Sequence, residues 1–289
     1  MNKIILTDSC CNLPSSFYKE NNNILHMISM PIHLDDNDFL DDHGIEVSYK
    51  DFYEALRNGV VPSTSQIAPI KFFDKFKTLY EQNKEILYIA FSSGMSGTYN
   101  NAVIAKEMFL EEYPDAKITI VDSYCASVGY GVIVKKAVEM LEENEITMIA
   151  KYIEENRLKV NHIFTVNDLM FLKNGGRIPP VLATVGTLLN LKPIMDVDTE
   201  GKLRQKEKVR GRKTVYKNFL RVIKTNYNPG LSPIIIGHGN CVEDANKFKS
   251  MIENELGFTD IIISEESPTI GSHVGPGLIV IGFMGNERS

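Results

Sequence analysis

The chain has 289 residues, 43% hydrophobic and 24% charged, with a formal net charge of −6. That balance supports a sizeable core in one large or two modest domains and excludes a fibrous or largely disordered chain. No apolar run approaches the roughly 20 residues that a spanning helix needs. The opening Lys3-Ile4-Ile5-Leu6-Thr7-Asp8 is too short for a secretory leader, so a cytoplasmic protein is expected. Cys10, Cys11, Cys125 and Cys241 lack paired metal spacing and form a poor disulfide framework, which points to reduced thiols.

In chain order, Ile4–Leu6 reads as a buried strand, Pro14–Glu20 as a short helix, and Ile24–Leu34 as extended and interrupted by Pro31. The acidic run Asp35–Asp42 lacks the glycine and terminal glutamate of a calcium loop and is expected to be a solvated loop. Ser48-x-x-Asp51 resembles a capping box opening a helix at Tyr49–Arg57. Pro69 suits the first turn of a helix to about Gln82. Strand Ile86–Phe91, helix Thr98–Glu112, strand Ile118–Val121 and a helix over Gly129–Glu142 follow. This rhythm predicts an α/β fold with a parallel sheet covered by helices.

After a helix at Thr147–Asn156 the rhythm changes, and a domain boundary is placed near residue 160, giving domains 1–160 and 161–289. Strand His162–Val166 leads through a short helix to the turn Asn174-Gly175-Gly176. Pro179–Leu191 reads as a helix apolar nearly all round, either part of a ligand wall or plain core. Ile194–Asp198 and Lys202–Val209 read as a hairpin, followed by helix Lys213–Lys224, strand Ile234–Gly237, helix Glu243–Leu256 and strands Ile261–Ser264 and Leu278–Phe283. Between Lys202 and Lys224 lie ten basic residues and one acid, Glu207, in an otherwise acidic chain. At strand spacing Lys202, Arg204, Lys206, Lys208 and Arg210 share one face, a positive ridge for an acidic partner or an anionic membrane. A general nucleic-acid binder is not expected from one basic stretch.

Three polar turns stand at strand ends or between elements: Pro62-Ser63-Thr64-Ser65-Gln66, Ser92-Ser93-Gly94-Met95-Ser96-Gly97-Thr98 and Asp122-Ser123. Ligands of parallel sheets bind at the carboxyl ends of strands. In the second turn, glycines admit a ligand to the backbone and hydroxyls supply neutral donors, although an ordinary capped loop reads the same way. It is neither a phosphate loop nor a clean nucleophile elbow. The order Ser96, Asp122, His273 nonetheless matches a hydrolase triad, which makes a serine hydrolase of small esters the alternative reading. His273 stands among glycines in Ile270–Gly277, and Arg177 follows Gly175-Gly176; each is an anion contact or a surface group. No histidine has metal-ligand spacing, so no metal is expected.

Taken together, Thr7-Asp8-Ser9, Thr64-Ser65-Gln66, Ser92–Tyr99, Val121-Asp122-Ser123, Gly175-Gly176-Arg177, Leu191-Lys192-Pro193-Ile194, Lys208-Val209-Arg210 and His273-Val274-Gly275-Pro276-Gly277 resemble the DegV family in order along the chain. That family includes bacterial fatty-acid-binding subunits that present acyl chains to a separate kinase. The resemblance implies an N-terminal α/β domain with a mainly parallel sheet, a C-terminal α/β domain with a mixed sheet, and a lipid tunnel between them. It implies no cofactor and no catalysis by the chain, with a long-chain fatty acid as ligand and a fatty acid kinase catalytic subunit as partner, in phospholipid metabolism. By the same resemblance Thr64 and Ser96 hold the carboxyl, Arg177 and His273 complete the polar end, and Arg210, with Lys208 and Arg212, engages the kinase. Cys10-Cys11 departs from the small polar residues commoner there, away from the expected head-group contacts.

Burying about 14 methylenes at ~0.8 kcal/mol each gives a gross stabilisation on the order of 10 kcal/mol, less ordering costs. A buried carboxylate needs partners, and two hydroxyls plus His273 offer a grip of modest net charge.

Overall fold

A computed structural model describes residues 2–183 and 191–288. The chain opens with β1 (Asn2–Asp8), in which Ile4, Ile5 and Leu6 are fully buried. Helix α1 (Ser15–Glu20), β2 (Leu25–Ile28), β3 (Pro31–Leu34) and β4 (Asn37–Leu40) follow. Helix α2 (Tyr49–Arg57) starts where Ser48 accepts a hydrogen bond from the Asp51 N–H, the capping interaction expected there. Next come β5 (Ser63–Thr64), α3 (Pro69–Glu81), β6 (Lys84–Ala90), α4 (Thr98–Glu112) and β7 (Ile118–Asp122). Four strands pair in parallel in the order β2-β1-β6-β7. Burial of both faces explains why β1 and β6 are near-continuous apolar runs rather than alternating ones.

Helices α5 (Ser127–Met140) and α6 (Ile146–Asn156) lead into β8 (Val160–Thr165), α7 (Met170–Asn174) and α8 (Pro180–Ala183). The remainder is β9 (Leu191–Val197), β10 (Leu203–Arg210), α9 (Arg212–Asn226), β11 (Ile234–His238), α10 (Val242–Leu256), β12 (Ile261–Glu265), α11 (Pro268–Val274) and β13 (Ile279–Met284). Six of these strands form a mixed sheet in the order β10-β9-β8-β13-β11-β12, with β11 and β12 parallel. Helix α5 packs against β8, β11 and β13 and also touches β1. One apolar core therefore runs from β1 through α5 to β8 and β13, while a second lies between the mixed sheet and α9 and α10.

Four expectations change. The acidic stretch is not a solvated loop: Asn37–Leu40 forms β4, which joins β3 and β5 in a three-stranded sheet. Asp41 is buried there and accepts hydrogen bonds from the Thr269 N–H and hydroxyl, and burial pushes its carboxyl up to about 6. Of the expected helix Pro179–Leu191, Pro180–Ala183 is helical and Leu191 opens a strand; residues 184–190 lie outside the described residues, and so does most of the expected ligand wall. His273 sits in the last turn of helix α11, not in a surface turn. Ser267 caps that helix and Pro268 occupies its first turn.

The last change concerns the basic strand. Pairing advances from Gln205 opposite Met195 to Glu207 opposite Ile194, which leaves Lys206 as an extra, bulged residue. A bulge inverts the alternation beyond it. Arg204 and Glu207 thus lie opposite Asp196 and Ile194 on one face of β9, whereas Lys208 lies opposite Pro193 on the other. The five basic residues do not share a face.

Candidate functional site

A cavity of about 260 Å³ is lined from both halves of the chain. Met30, Phe91, Phe164, Leu172, Leu203 and Val280 give it apolar walls, and Thr64, Ser96, Arg177 and His273 all line it as well. The sequence places these four residues far apart. The fold brings them together because the ends of β5, α4, α7 and α11 converge on one space.

Thr64 ends β5, which is held beside β3 by pairing with Ile32. Its Oγ1 lies 2.8 Å from His273 Nε2. The imidazole reaches this position only because residue 175 has no side chain: a β-carbon there would stand 2.1 Å from His273 Nδ1. Nδ1 is enclosed and has no hydrogen-bond partner. Burial, helped by the charge of Arg177, brings His273 down to about 3, so the ring is neutral at physiological pH.

Ser96 precedes α4. Its Oγ accepts from the Thr98 N–H at 3.3 Å and lies 3.0 Å from Thr98 Oγ1. Gly97 is pressed against Gln66, where a β-carbon would stand 2.5 Å from Oε1, so the two polar turns expected from the sequence pack directly together. Arg177 donates to the Gly175 carbonyl, and burial lowers its pKa. Among the described residues it has no carboxylate partner. A half-buried cation without a countercharge is costly unless a ligand supplies one.

A family model described as an uncharacterised protein of the DegV family matches residues 3–286. The chain belongs to the DegV family. A DegV domain-containing protein of Clostridium perfringens is 39% identical over 287 residues, covering 99% of this chain and 98% of its own. Among solved structures, a DegV lipid-binding protein of Thermotoga maritima is similar at 27% identity with a TM-score of 0.86, covering 100% of both chains. A second Thermotoga maritima protein, whose structure is described as revealing fatty acid binding function, is similar at 26% identity with a TM-score of 0.85, covering 99% of this chain and 100% of its own.

In this DegV chain the Ser96–Asp122–His273 triad is not assembled. His273 Nε2 faces Thr64, its Nδ1 meets no carboxylate, and Asp122 instead accepts from the Ser93 and Tyr124 N–H groups. Asp122 shapes the loop and does not line the cavity. Cys10 does line it. Its thiol is buried and held well above the usual range by desolvation, so it serves as an apolar wall.

The basic arm divides by partner. Arg204 pairs with Asp196 at 2.8 Å, Lys206 approaches the same carboxylate at 3.5 Å, and Lys202 pairs with Glu200. Arg212 donates to Asp244 and to the Gly277 carbonyl, so its guanidinium is committed within the fold. Lys208 and Arg210 have no ion pair among the described residues. They fall on the same face of β10 as Leu203, which lines the cavity. Among the described residues no helix is long and apolar enough to cross a membrane, and no cluster of metal-ligating side chains occurs.

Proposed function

We propose that this DegV protein binds a long-chain fatty acid in the cavity and presents its carboxyl group to a separate kinase for acyl-phosphate formation, feeding exogenous fatty acids into phospholipid synthesis. The chain supplies binding and orientation, and the kinase supplies the chemistry. The cavity then lies between an N-terminal domain, 1–160, and a C-terminal domain, 161–289.

The observation that carries this reading is the uncompensated Arg177 beside the Thr64–His273 pair in a cavity whose other walls are largely apolar. The polar end calls for an anion and the walls call for hydrocarbon. A fatty acid is the simple ligand class that provides both. Arg177 adds a cation to the neutral hydroxyls and the neutral imidazole of this polar end. The similar Thermotoga maritima proteins, one lipid-binding and one with a fatty acid binding function, support the ligand class. For the kinase, the support is the family resemblance and the Lys208–Arg210 pair, which has no ion pair among the described residues and shares a face of β10 with Leu203; Arg212 is set aside because it is already bonded.

The test is native mass spectrometry of protein purified from bacteria without added lipid. A co-purifying fatty-acid mass that is lost in Arg177→Met is the expected result. Protein that is consistently empty, and that fails to bind added palmitate, overturns the reading.

A further inference from the structure

Strand β3 is the centre of the three-stranded sheet, and its register sets His33 beside a carboxylate that the fatty-acid reading does not use. His33 lies directly opposite Asp38 on β4 and opposite Ser63 on β5. Its Nδ1 is 2.6 Å from Asp38 Oδ1, and its Nε2 is 2.7 Å from Ser65 Oγ. Ser65 is fixed by its own backbone, whose N–H donates to the Pro31 carbonyl at 3.1 Å. Its side chain lines the same cavity as Thr64.

This order of groups, with one imidazole nitrogen on a carboxylate and the other on a serine hydroxyl, is what activates a serine. The carboxylate holds the imidazole proton on Nδ1 and leaves Nε2 free to accept the hydroxyl proton. The carboxylate–imidazole–hydroxyl relay expected at Ser96 is thus absent there and present at the neighbouring polar turn, on residues of the three-stranded sheet and the turn after β5. His33 is partly open, with 38% of its side chain exposed, so a substrate at the mouth of the cavity has access to the pair.

We propose that Ser65, with His33 as general base and Asp38 as its orienting carboxylate, hydrolyses activated long-chain acyl esters, oxygen or thio, whose chain occupies the cavity. Ser65 Oγ attacks the acyl carbonyl as its proton passes to His33 Nε2. The tetrahedral adduct collapses, the bond to the leaving alkoxide or thiolate breaks, and that group departs with the proton. Water then adds to the acyl-serine, giving its proton to His33, and the ester bond to Ser65 breaks as His33 returns that proton to Oγ. The products are a free fatty acid and an alcohol or thiol, with Ser65 restored. Arg177, lining the same cavity, is the cation available to the oxyanion. The substrate class rests on the fatty-acid reading; the activation of Ser65 does not.

The experiment treats delipidated full-length protein with a small alkyl fluorophosphonate, maps the label by peptide mass spectrometry, and measures cleavage of p-nitrophenyl acetate and p-nitrophenyl palmitate. Label on Ser65 is expected. His33→Ala should lower the labelling rate and palmitate-ester turnover about 100-fold, and Ser65→Ala should abolish both. All three residues are near the surface, so circular dichroism should show the variants folded. No label on Ser65, or equal labelling rates in wild type and His33→Ala, overturns the activated serine even if fatty acid co-purifies. Label on Ser65 with equal cleavage of the two esters overturns the substrate class alone.

Discussion

Thr64 and Ser65 are neighbours, each bonded through its hydroxyl to the Nε2 of a histidine, yet the two imidazoles have opposite surroundings. His273 is enclosed, close to a cation, and has nothing on Nδ1; His33 is partly exposed and has a carboxylate on Nδ1. The same pair of groups therefore serves two purposes. Where the second nitrogen meets only a glycine, the ring is held neutral as a hydrogen-bonding wall. Where it meets a carboxylate, the ring is oriented to take a proton. The partner of the far nitrogen, not the shared contact, sets the role.

The largest effect on the buried side is expected from Arg177→Met. Charge-assisted hydrogen bonds contribute about 1.5–3 kcal/mol, so fatty-acid affinity should fall by about 10- to 100-fold in calorimetry. Unchanged affinity would remove the carboxyl from this end of the cavity. His273→Ala should cost about tenfold by leaving the Thr64 hydroxyl without its partner. Gly175→Ala sharpens the same point without touching a polar atom. Its backbone tolerates alanine, but the new β-carbon displaces the imidazole, so affinity should drop several-fold with the Thr64–His273 geometry.

The pH dependence separates two buried groups by sign. His273 titrates near 3 in the native state against an ordinary 6.5, so in that window the unfolded chain binds more protons and stability falls as pH drops. Glu266 is fully buried, accepts a bond from Ser127, and is pushed by desolvation up to about 8 from an ordinary 4.5. There the native state holds the extra proton, and stability falls as pH rises from about 4.5 to 8. Asp41, held up to about 6, contributes below that pH, so thermal melts of Glu266→Gln should lose the decline between about pH 6 and 8; a variant that retains it assigns it elsewhere. The smallest effect on the chain itself is expected from Lys208→Ala with Arg210→Ala. Lipid binding should be unchanged, while kinase-coupled acyl-phosphate formation slows several-fold and loses salt dependence. Equal kinetics would take the kinase surface away from β10.

Much of this was legible before the structure. Helix α2 begins at its expected cap and α4 spans the residues its spacing places in a helix, and the parallel sheet follows from apolar runs separated by helices. The convergence of Thr64, Ser96, Arg177 and His273 was legible through resemblance to DegV proteins, because nothing in local periodicity relates positions so far apart. What was missed has physical reasons. A single bulged residue leaves no mark on composition, so the alternation of Lys206 and Lys208 read as one face. The charges of Asp35–Asp42 masked a short strand, and with it the cross-strand alignment of His33 and Asp38. The helix carrying His273 had a signal in Ser267-Pro268, a cap followed by a first-turn proline, which its glycines obscured.

The bend joining β9 to β10 rests on the loop before α4, with the Ser92 hydroxyl donating to the Gly201 carbonyl at 2.7 Å and the Glu200 carbonyl lying where a β-carbon of Gly94 would be, 2.5 Å away. Val197 and Leu203 flank that bend and line the cavity. The seam between bend and loop is thus a close backbone approach plus a hydrogen bond worth about 1 kcal/mol. A single methyl group at position 94 would collide with the Glu200 and Gly201 backbone and push the bend off the loop.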